Sequence, residues 1–320
     1  MFLIPEVVAM RRAMDLARSS EGRTFPNPMV GAVILGSDGS IVGEGCHHMC
    51  GGPHAEIEAL GDAGARTRGA TMAVTLEPCS HTGRTGPCAP EIVSAGIARV
   101  VVAMVDPNPE VSGTGIEYLR KHGVEVEVGL LREEAESFNW LYLHYLEKGR
   151  SHLRLKLAVS MDGRIAAADG GSKWISGPEA RREAHLMRAG SDAVLVGAGT
   201  LRADDPRLDA RDVPVGPSGQ PVRITVTSSG RLPTDRRFFD GSARSLVALP
   251  KGIKAEKVES LKNAGAEVWE LDGTERGVSL ETLLIRTAGE GLGSILCEGG
   301  SRLATNLLLE GLVDRICMVT

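Results

Sequence analysis

From Val30 onward, short runs of Val, Ile, Leu and Ala alternate with stretches of helical period, and glycine-rich turns separate them. Such alternation points to α/β architecture, in which helices cover a sheet. Aromatic residues make up only 3% of the chain while glycine reaches 40 residues, so the cores must be aliphatic and the turns tight. At 320 residues and 42% hydrophobic content, the chain is long enough for two domains of ordinary size.

Residues 6 to 18 have helical spacing, and the run Thr24-Phe25-Pro26-Asn27-Pro28 breaks that helix, because each proline disfavours helix at the residue before it. Asn27, held between two prolines, reads equally as part of a rigid turn or as a site residue. Strands at 30–35 and 41–45 form a hairpin across Gly36-Ser37-Asp38-Gly39-Ser40. Helix 54–61, strand 70–76, helix 88–95, strand 100–105, helix 114–122, strand 124–128 and one long helix over 130–147 complete a three-layer α/β domain spanning 1–147.

Lys148-Gly149-Arg150-Ser151 reads as the linker to a second domain over 151–320. That half alternates again, with strands at 153–159, 193–196, 222–227, 245–249, 267–271, 294–297 and 313–320 and helices at 178–189, 279–289 and 301–310. The last strand runs to Thr320 without a polar tail, so the expectation is a second domain incomplete at its C-terminal end.

Formal net charge is −5 and the pI about 6.0, which gives no overall attraction for a polyanion and argues against nucleic-acid partners. The start lacks the positive charge and apolar run of a signal peptide, and no stretch is apolar for ~18 residues, so a cytoplasmic protein without membrane association is expected. Six cysteines in a chain this long suit reduced thiols and a metal. Cys46, Cys50, Cys297 and Cys317 receive no chemistry from the sequence.

The chemistry concentrates in Pro53-His54-Ala55-Glu56, Pro78-Cys79 and Cys88. A histidine and two cysteines are the three protein ligands of a catalytic zinc that keeps one position open, and a nearby glutamate that is not a ligand is the proton carrier of a zinc deaminase. His54, Cys79 and Cys88 are therefore the candidate ligands of one zinc per chain, with Glu56 as base. Pro53 suits a first helical turn, which puts His54 and Glu56 near a helix N-terminus. The bland reading is a pair of buried cysteines acting as small hydrophobes and a histidine capping a helix. The position of each ligand at a strand end or helix start favours the metal. The gap of eight residues between Cys79 and Cys88, instead of the usual two, departs from the common deaminase pattern. Cys46-His47-His48-Met49-Cys50 is a rival ligand cluster. Two ligand pairs packed into so short a loop offer no derivable open geometry, and His47 is expected to line the pocket beside the zinc.

In the second half no Gly-x-Gly-x-x-Gly follows the first strand, so an ordinary Rossmann site is not indicated. Val196-Gly197-Ala198-Gly199-Thr200 and Glu298-Gly299-Gly300-Ser301-Arg302 each join a strand to a helix, and such turns are ready anion sites for dinucleotide phosphates. No residue there is an evident acid or base. Hydride transfer needs mainly alignment, so positioning should dominate.

Taken together, residues 24–31, Gly52 to Glu56, Thr75 to His81, Gly83-Arg84-Thr85, Pro87-Cys88 and Asp106-Pro107-Asn108-Pro109 closely resemble the bifunctional riboflavin-biosynthesis deaminase/reductases, in which the eight-residue gap is the norm. The resemblance continues through Leu155 to Gly163, Trp174-Ile175-Ser176, Gly199-Thr200, Ala203 to Pro206 and Glu298-Gly299-Gly300. It implies a cytidine-deaminase-like N-terminal domain that deaminates diaminohydroxyphosphoribosylaminopyrimidine, followed by a dihydrofolate-reductase-like α/β domain that uses NADPH to open the ribose to a ribityl chain. By matching position, Asn27, His47, His81 and Arg84 would hold the deaminase substrate, with Arg84 suited to its phosphate. Ala158, Trp174, Thr200, Asp204, Ser228, Gly300, Ser301, Arg302, Leu303, Ala304, Thr305 and Asn306 would hold NADPH. Ser172, Arg188, Leu208, Arg211 and Glu298 would hold the reductase substrate. Ser301-Arg302 replaces the small residues usual after the second glycine, and Arg302 reads either as a contact to the cofactor's extra phosphate or as a solvent-facing side chain. A homo-oligomer through the reductase domain is also expected. The alternative of a different class is a zinc deaminase acting on a nucleobase in RNA, with the second half as a binding module.

Overall fold

Alanine, valine and methionine fill the first core. The computed structural model describes residues 2–81, 86–160, 162–164, 177–216 and 219–320. The chain divides into two units, Met1–Glu147 and Lys148–Thr320.

The first unit runs α1 (Ile4–Arg18), β1 (Gly31–Leu35), β2 (Ile41–Cys46), α2 (Ala55–Ala63), β3 (Thr71–Val74), α3 (Cys88–Ser94), β4 (Arg99–Val102), α4 (Thr114–Lys121), β5 (Glu125–Val128), α5 (Arg132–Phe138) and α6 (Trp140–Lys148). The sheet order is β2-β1-β3-β4-β5. β1 is antiparallel to both neighbours, and β3, β4 and β5 are parallel. Successive strand residues face opposite sides of a sheet. A methyl group on Gly31 would collide with the backbone of Ala13 in α1, whereas one on Gly45, which pairs with Ala32, would collide with Ala55 and Ala59 of α2. The two helices therefore cover opposite faces at backbone distance. All five β1 residues are buried, as a strand covered on both sides requires.

The single helix expected over 130–147 is two helices, α5 and α6, divided at Asn139. The Asn139 side chain is buried and accepts the Met29 N–H at 2.8 Å while donating to the Met29 carbonyl at 3.0 Å. Holding the segment before β1 in this way outweighs continuous helix at a residue of poor helical propensity.

The second unit contains β6 (His152–Ala158), α7 (Pro178–Ala189), β7 (Ala193–Gly197), α8 (Ala198–Asp204), β8 (Val222–Val226), β9 (Ser245–Pro250), α9 (Ala255–Asn263), β10 (Glu267–Leu271), β11 (Gly273–Thr274), β12 (Gly277–Val278), α10 (Leu280–Gly289), β13 (Ser294–Cys297), α11 (Ser301–Leu309) and β14 (Arg315–Val319). Seven strands form a parallel sheet in the order β10-β9-β8-β7-β13-β6-β14. Alternation is direct: Ala193 and Leu195 pack with α10 and α11, while Val194 and Val196 pack with Leu201 of α8 and Leu261 of α9. α9 and the small β11–β12 hairpin have no counterpart in the sequence expectations. Among the described residues, no helix is long and apolar enough to cross a membrane.

The start of β6 and the approach to β14 are tied by one ion pair whose arginine is buried. Both Arg150 terminal nitrogens reach Asp314 at 2.8 Å, and Asp314 also accepts the Leu153 N–H at 2.8 Å. Removing one member strands a buried charge, so Asp314→Ala is expected to destabilise the second unit by about 3–5 kcal/mol. Urea unfolding should show a lower midpoint for that unit and an unchanged one for the first.

Candidate active sites

The register of the first sheet decides what can meet. Because β1 runs antiparallel to β3, with Ala32 opposite Val74, the loop entering β1 lies beside the loop leaving β3. Cys46, the last residue of β2, pairs with Gly31, so the chain leaving β2 arrives at the same rim. Asn27, His47 and Cys79 are thereby gathered from three segments at the end of the sheet where parallel strands present their loops.

Helix α2 begins at Ala55, one residue later than expected, and His54 is its N-cap in extended conformation. From there His54 Nδ1 lies 3.2 Å from Cys88 Sγ and 3.5 Å from Cys79 Sγ. A tetrahedral zinc with ordinary Zn–S and Zn–N bonds has N···S edges of about 3.6 Å, so these three atoms fit the ion. The Cys88 thiol, with help from His54, lowers the Cys79 pKa, whereas the Cys79 sulfur together with burial raises that of Cys88.

Glu56, two residues after His54 in the first turn of α2, is buried. Burial raises its carboxyl to about 7. His47 is also buried, and its Nδ1 donates to the Pro53 carbonyl at 2.9 Å, which leaves Nε2 to accept from Asn27 Nδ2 at 3.2 Å. Burial lowers its pKa, in keeping with this neutral tautomer. Glu56, His54, Cys79, Asn27, His47 and His81 all line one cavity of about 390 Å³. Arg84 lies outside the described residues.

Sequence reasoning missed the support beneath this cavity. Glu77 is buried, and its carboxylate accepts four backbone N–H groups, from Gly113 at 2.9 Å, Gly115 at 3.0 Å, Ile116 at 3.2 Å and Asp106 at 3.3 Å. Gly115 is obligatory there, since a Cβ would sit 1.8 Å from the Pro78 carbonyl oxygen. Tyr142 donates to Asp106 at 2.7 Å. Burial, partly offset by that bond, raises the Asp106 pKa. The only signal in the sequence was a carboxylate placed directly after an apolar strand.

In the second unit a cavity of about 380 Å³ opens where the loops leaving β7, β8 and β13 meet, at the switch point between β7, whose helix leads to β8, and β13, whose helix leads to β14. Thr200, Ser228, Gly300, Ser301, Arg302, Leu303 and Asn306 line it. Thr305 lines an adjoining groove. Ala158, Asp204 and Ala304 do not line the cavity: Ala158 lies at the end of β6, Asp204 is exposed at the end of α8, and Ala304 is in the core. Ser172 and Trp174 lie outside the described residues. Arg276, on the β11–β12 hairpin, lines the cavity and was not anticipated. Gly299 is required because a Cβ would lie 2.7 Å from Gly197 N and Val196 Cα, and the Gly300 N–H donates to Thr200 Oγ1 at 3.1 Å. Two strand-to-helix turns thus abut with exposed backbone, a cradle that fits dinucleotide phosphates.

Next to it, Arg188 grips Glu298 at 2.5 and 3.0 Å, Lys156 lies 3.8 Å from the same carboxylate, and Arg188 also donates to the Asp209 carbonyl at 3.1 Å. Burial opposes ionisation of Glu298, but Arg188 and Lys156 outweigh it and hold the group below the usual carboxylate range. Leu208, in left-handed conformation, and Arg211, bonded to Asp209, flank this cluster.

Residues 151–320 match the family model of the RibD C-terminal domain, and residues 6–104 match that of the cytidine and deoxycytidylate deaminase zinc-binding region. The chain is 43% identical over 307 residues to the riboflavin biosynthesis protein RibD of Aquifex aeolicus, an alignment covering 96% of this chain and 84% of that protein. Among solved structures it resembles Acinetobacter baumannii RibD, form 1, with a TM-score of 0.81, 38% identity and coverage of 98% of this chain and 86% of that one. It also resembles the Thermotoga maritima diaminohydroxyphosphoribosylaminopyrimidine deaminase/5-amino-6-(5-phosphoribosylamino)uracil reductase, with a TM-score of 0.76, 37% identity and coverage of 98% and 85%. Fold and site define a zinc-dependent deaminase domain joined to an NADPH-dependent reductase domain. The chain belongs to the RibD family, the bifunctional deaminase/reductases of riboflavin biosynthesis.

Glu56 makes the metal-free fold pH-sensitive in a defined direction. Its folded pKa of about 7 stands above the ordinary 4.5, so between these values the folded chain holds a proton that the unfolded chain has released. Stability is therefore lost as pH rises through that window, by up to about 3 kcal/mol. Urea unfolding of metal-stripped protein should show this loss between pH 5 and pH 8, and Glu56→Gln should remove most of it.

Proposed function

We propose that the unit spanning 1–147 removes the ring amine of diaminohydroxyphosphoribosylaminopyrimidine, and that the unit from 151 onward reduces the ribose of the deaminated product to give 5-amino-6-(5-phosphoribitylamino)uracil. The observation that carries the first half is the convergence of His54, Cys79 and Cys88 on one point, with Glu56 buried beside them in the same cavity. Zinc held by these three residues supplies the Lewis acidity that makes water nucleophilic near neutral pH. Glu56 takes the proton from the attacking water and delivers it to the departing amine, so oxygen replaces nitrogen on the ring and ammonia leaves. A carboxyl poised at about 7 suits both directions of transfer. Asn27, His47 and His81 orient the pyrimidine. The phosphate is assigned to Arg84 on the resemblance alone.

In the second unit, NADPH supplies the hydride. The paired turns at 197–200 and 298–302 would hold its phosphates, Ser228, Leu303 and Asn306 would border it, and Arg302 would meet the extra phosphate. Arg188 and Glu298 hold the substrate, with Leu208 and Arg211 shaping their surroundings. Positioning is the main contribution of these residues.

A phosphorylated pyrimidine as substrate and reduced thiols suit a cytoplasmic setting. A homo-oligomer through the second unit rests on the resemblance alone. RNA is not favoured as substrate, given the net charge of −5 and the family of the chain.

Ammonia release and NADPH oxidation, followed separately, test both halves. Cys79→Ser is expected to lose the deaminase zinc. Glu56→Gln should keep that zinc and lose about 10²–10⁴-fold in ammonia release; normal turnover in that variant removes Glu56 from its role. NADPH oxidation should require the deaminated intermediate, and an absence of NADPH binding refutes the reading of the second unit.

A further inference from the structure

The loop leaving β2 carries a second set of metal-ligand side chains that the deaminase site does not use. His47 turns into the deaminase cavity, but its neighbours Cys46 and His48 do not line that cavity. They meet Glu58, in the first turn of α2. Cys46 Sγ lies 3.8 Å from His48 Nε2, and His48 Nε2 lies 3.1 Å from Glu58 Oε2. All three ligand atoms fall within 4.8 Å of one another, as those of His54, Cys79 and Cys88 do.

We propose that Cys46, His48 and Glu58 form a second metal site, for a borderline-soft divalent ion of the zinc type, outside the deaminase cavity. One thiolate, one imidazole and one carboxylate are all ordinary zinc ligands, and a tetrahedral ion has N···S and N···O edges of about 3.6 and 3.3 Å, close to those observed. The surroundings meet the other demands of such a site. The buried Ser20 hydroxyl donates to Cys46 Sγ at 3.7 Å, the Ser19 hydroxyl lies 3.9 Å from the same sulfur, and Glu58 Oε2 accepts the Cys46 N–H at 3.3 Å. The His48 side chain is 53% exposed and Glu58 27%, which provides an entry path and leaves the fourth position to water. The sequence could not show this site, because Glu58 joins it from a different element. An ion here would tie the end of β2 to α2 and span the loop that carries His47 and Pro53, so it would stiffen one wall of the deaminase pocket without touching substrate.

The test is cobalt titration of the metal-stripped full-length protein, read by thiolate-to-cobalt charge-transfer absorption and by bound metal after gel filtration. Wild type should bind two ions per chain, and Cys46→Ser and Cys79→Ser should each retain one, at different sites. Glu58→Gln, which keeps the side-chain volume and leaves both sulfurs in place, should weaken the second ion at least about tenfold and spare the first. One ion in wild type, or two of unchanged affinity in both Cys46→Ser and Glu58→Gln, overturns the proposal. Because the second ion is counted separately from ammonia release, its absence leaves the assignment of the deaminase zinc untouched.

Discussion

The Glu77 carboxylate is the contact on which the deaminase site rests. It is buried at the carboxyl end of β3 and gathers N–H groups from Asp106, Gly113, Gly115 and Ile116. Buried charge is tolerated only with such compensation. In return it draws the loop after β4 and the start of α4 against the residue preceding Pro78-Cys79. The approach is close enough that Gly115 admits no side chain against Pro78. On the opposite side, Asn139 holds the segment before β1 through two bonds to Met29. Cys79 and Asn27 are thus held by hydrogen bonds made elsewhere on their own segments, the support that a preorganised site requires.

Fixed in this way, the ligands make Glu56 a poised acid. Its carboxyl is raised chiefly by burial, and the neighbouring Cys79 thiolate pushes the same way while His54 opposes. A group that must both accept and donate a proton near neutrality needs that balance. Stability is given up for it, since a solvated glutamate at the same helix position would bear no such penalty.

How much of this was legible in the sequence depends on where each interaction lies. His54, Glu56, Cys79 and Cys88 carry chemistry in their side chains, so type and order along the chain were enough to draw them together. The strands were legible for the same reason, as apolar runs bounded by turns, and the order of helices and strands gave two α/β units. Asn139 was not legible, because a lone asparagine within a helical pattern is usually a solvated residue, and its partner Met29 is 110 residues away in the chain. Glu77 and Tyr142 were missed for a related reason: their partners are backbone groups or a loop carboxylate distant in sequence.

The second unit shows the converse case. Its cavity is walled by Gly197, Gly199, Gly277 and Gly300 and by turns that let backbone approach a ligand. Glycine turns are common, and two of them imply a dinucleotide only when a parallel sheet brings the ends of β7 and β13 side by side. Resemblance therefore had to supply what side-chain chemistry supplied in the first unit. Ala158, Asp204 and Ala304 lie on elements around the cavity without lining it, whereas Arg276 reaches it from a hairpin too short to register as strand. A site made of backbone is legible in a sequence only once the sheet is known, and a site made of side chains is legible before.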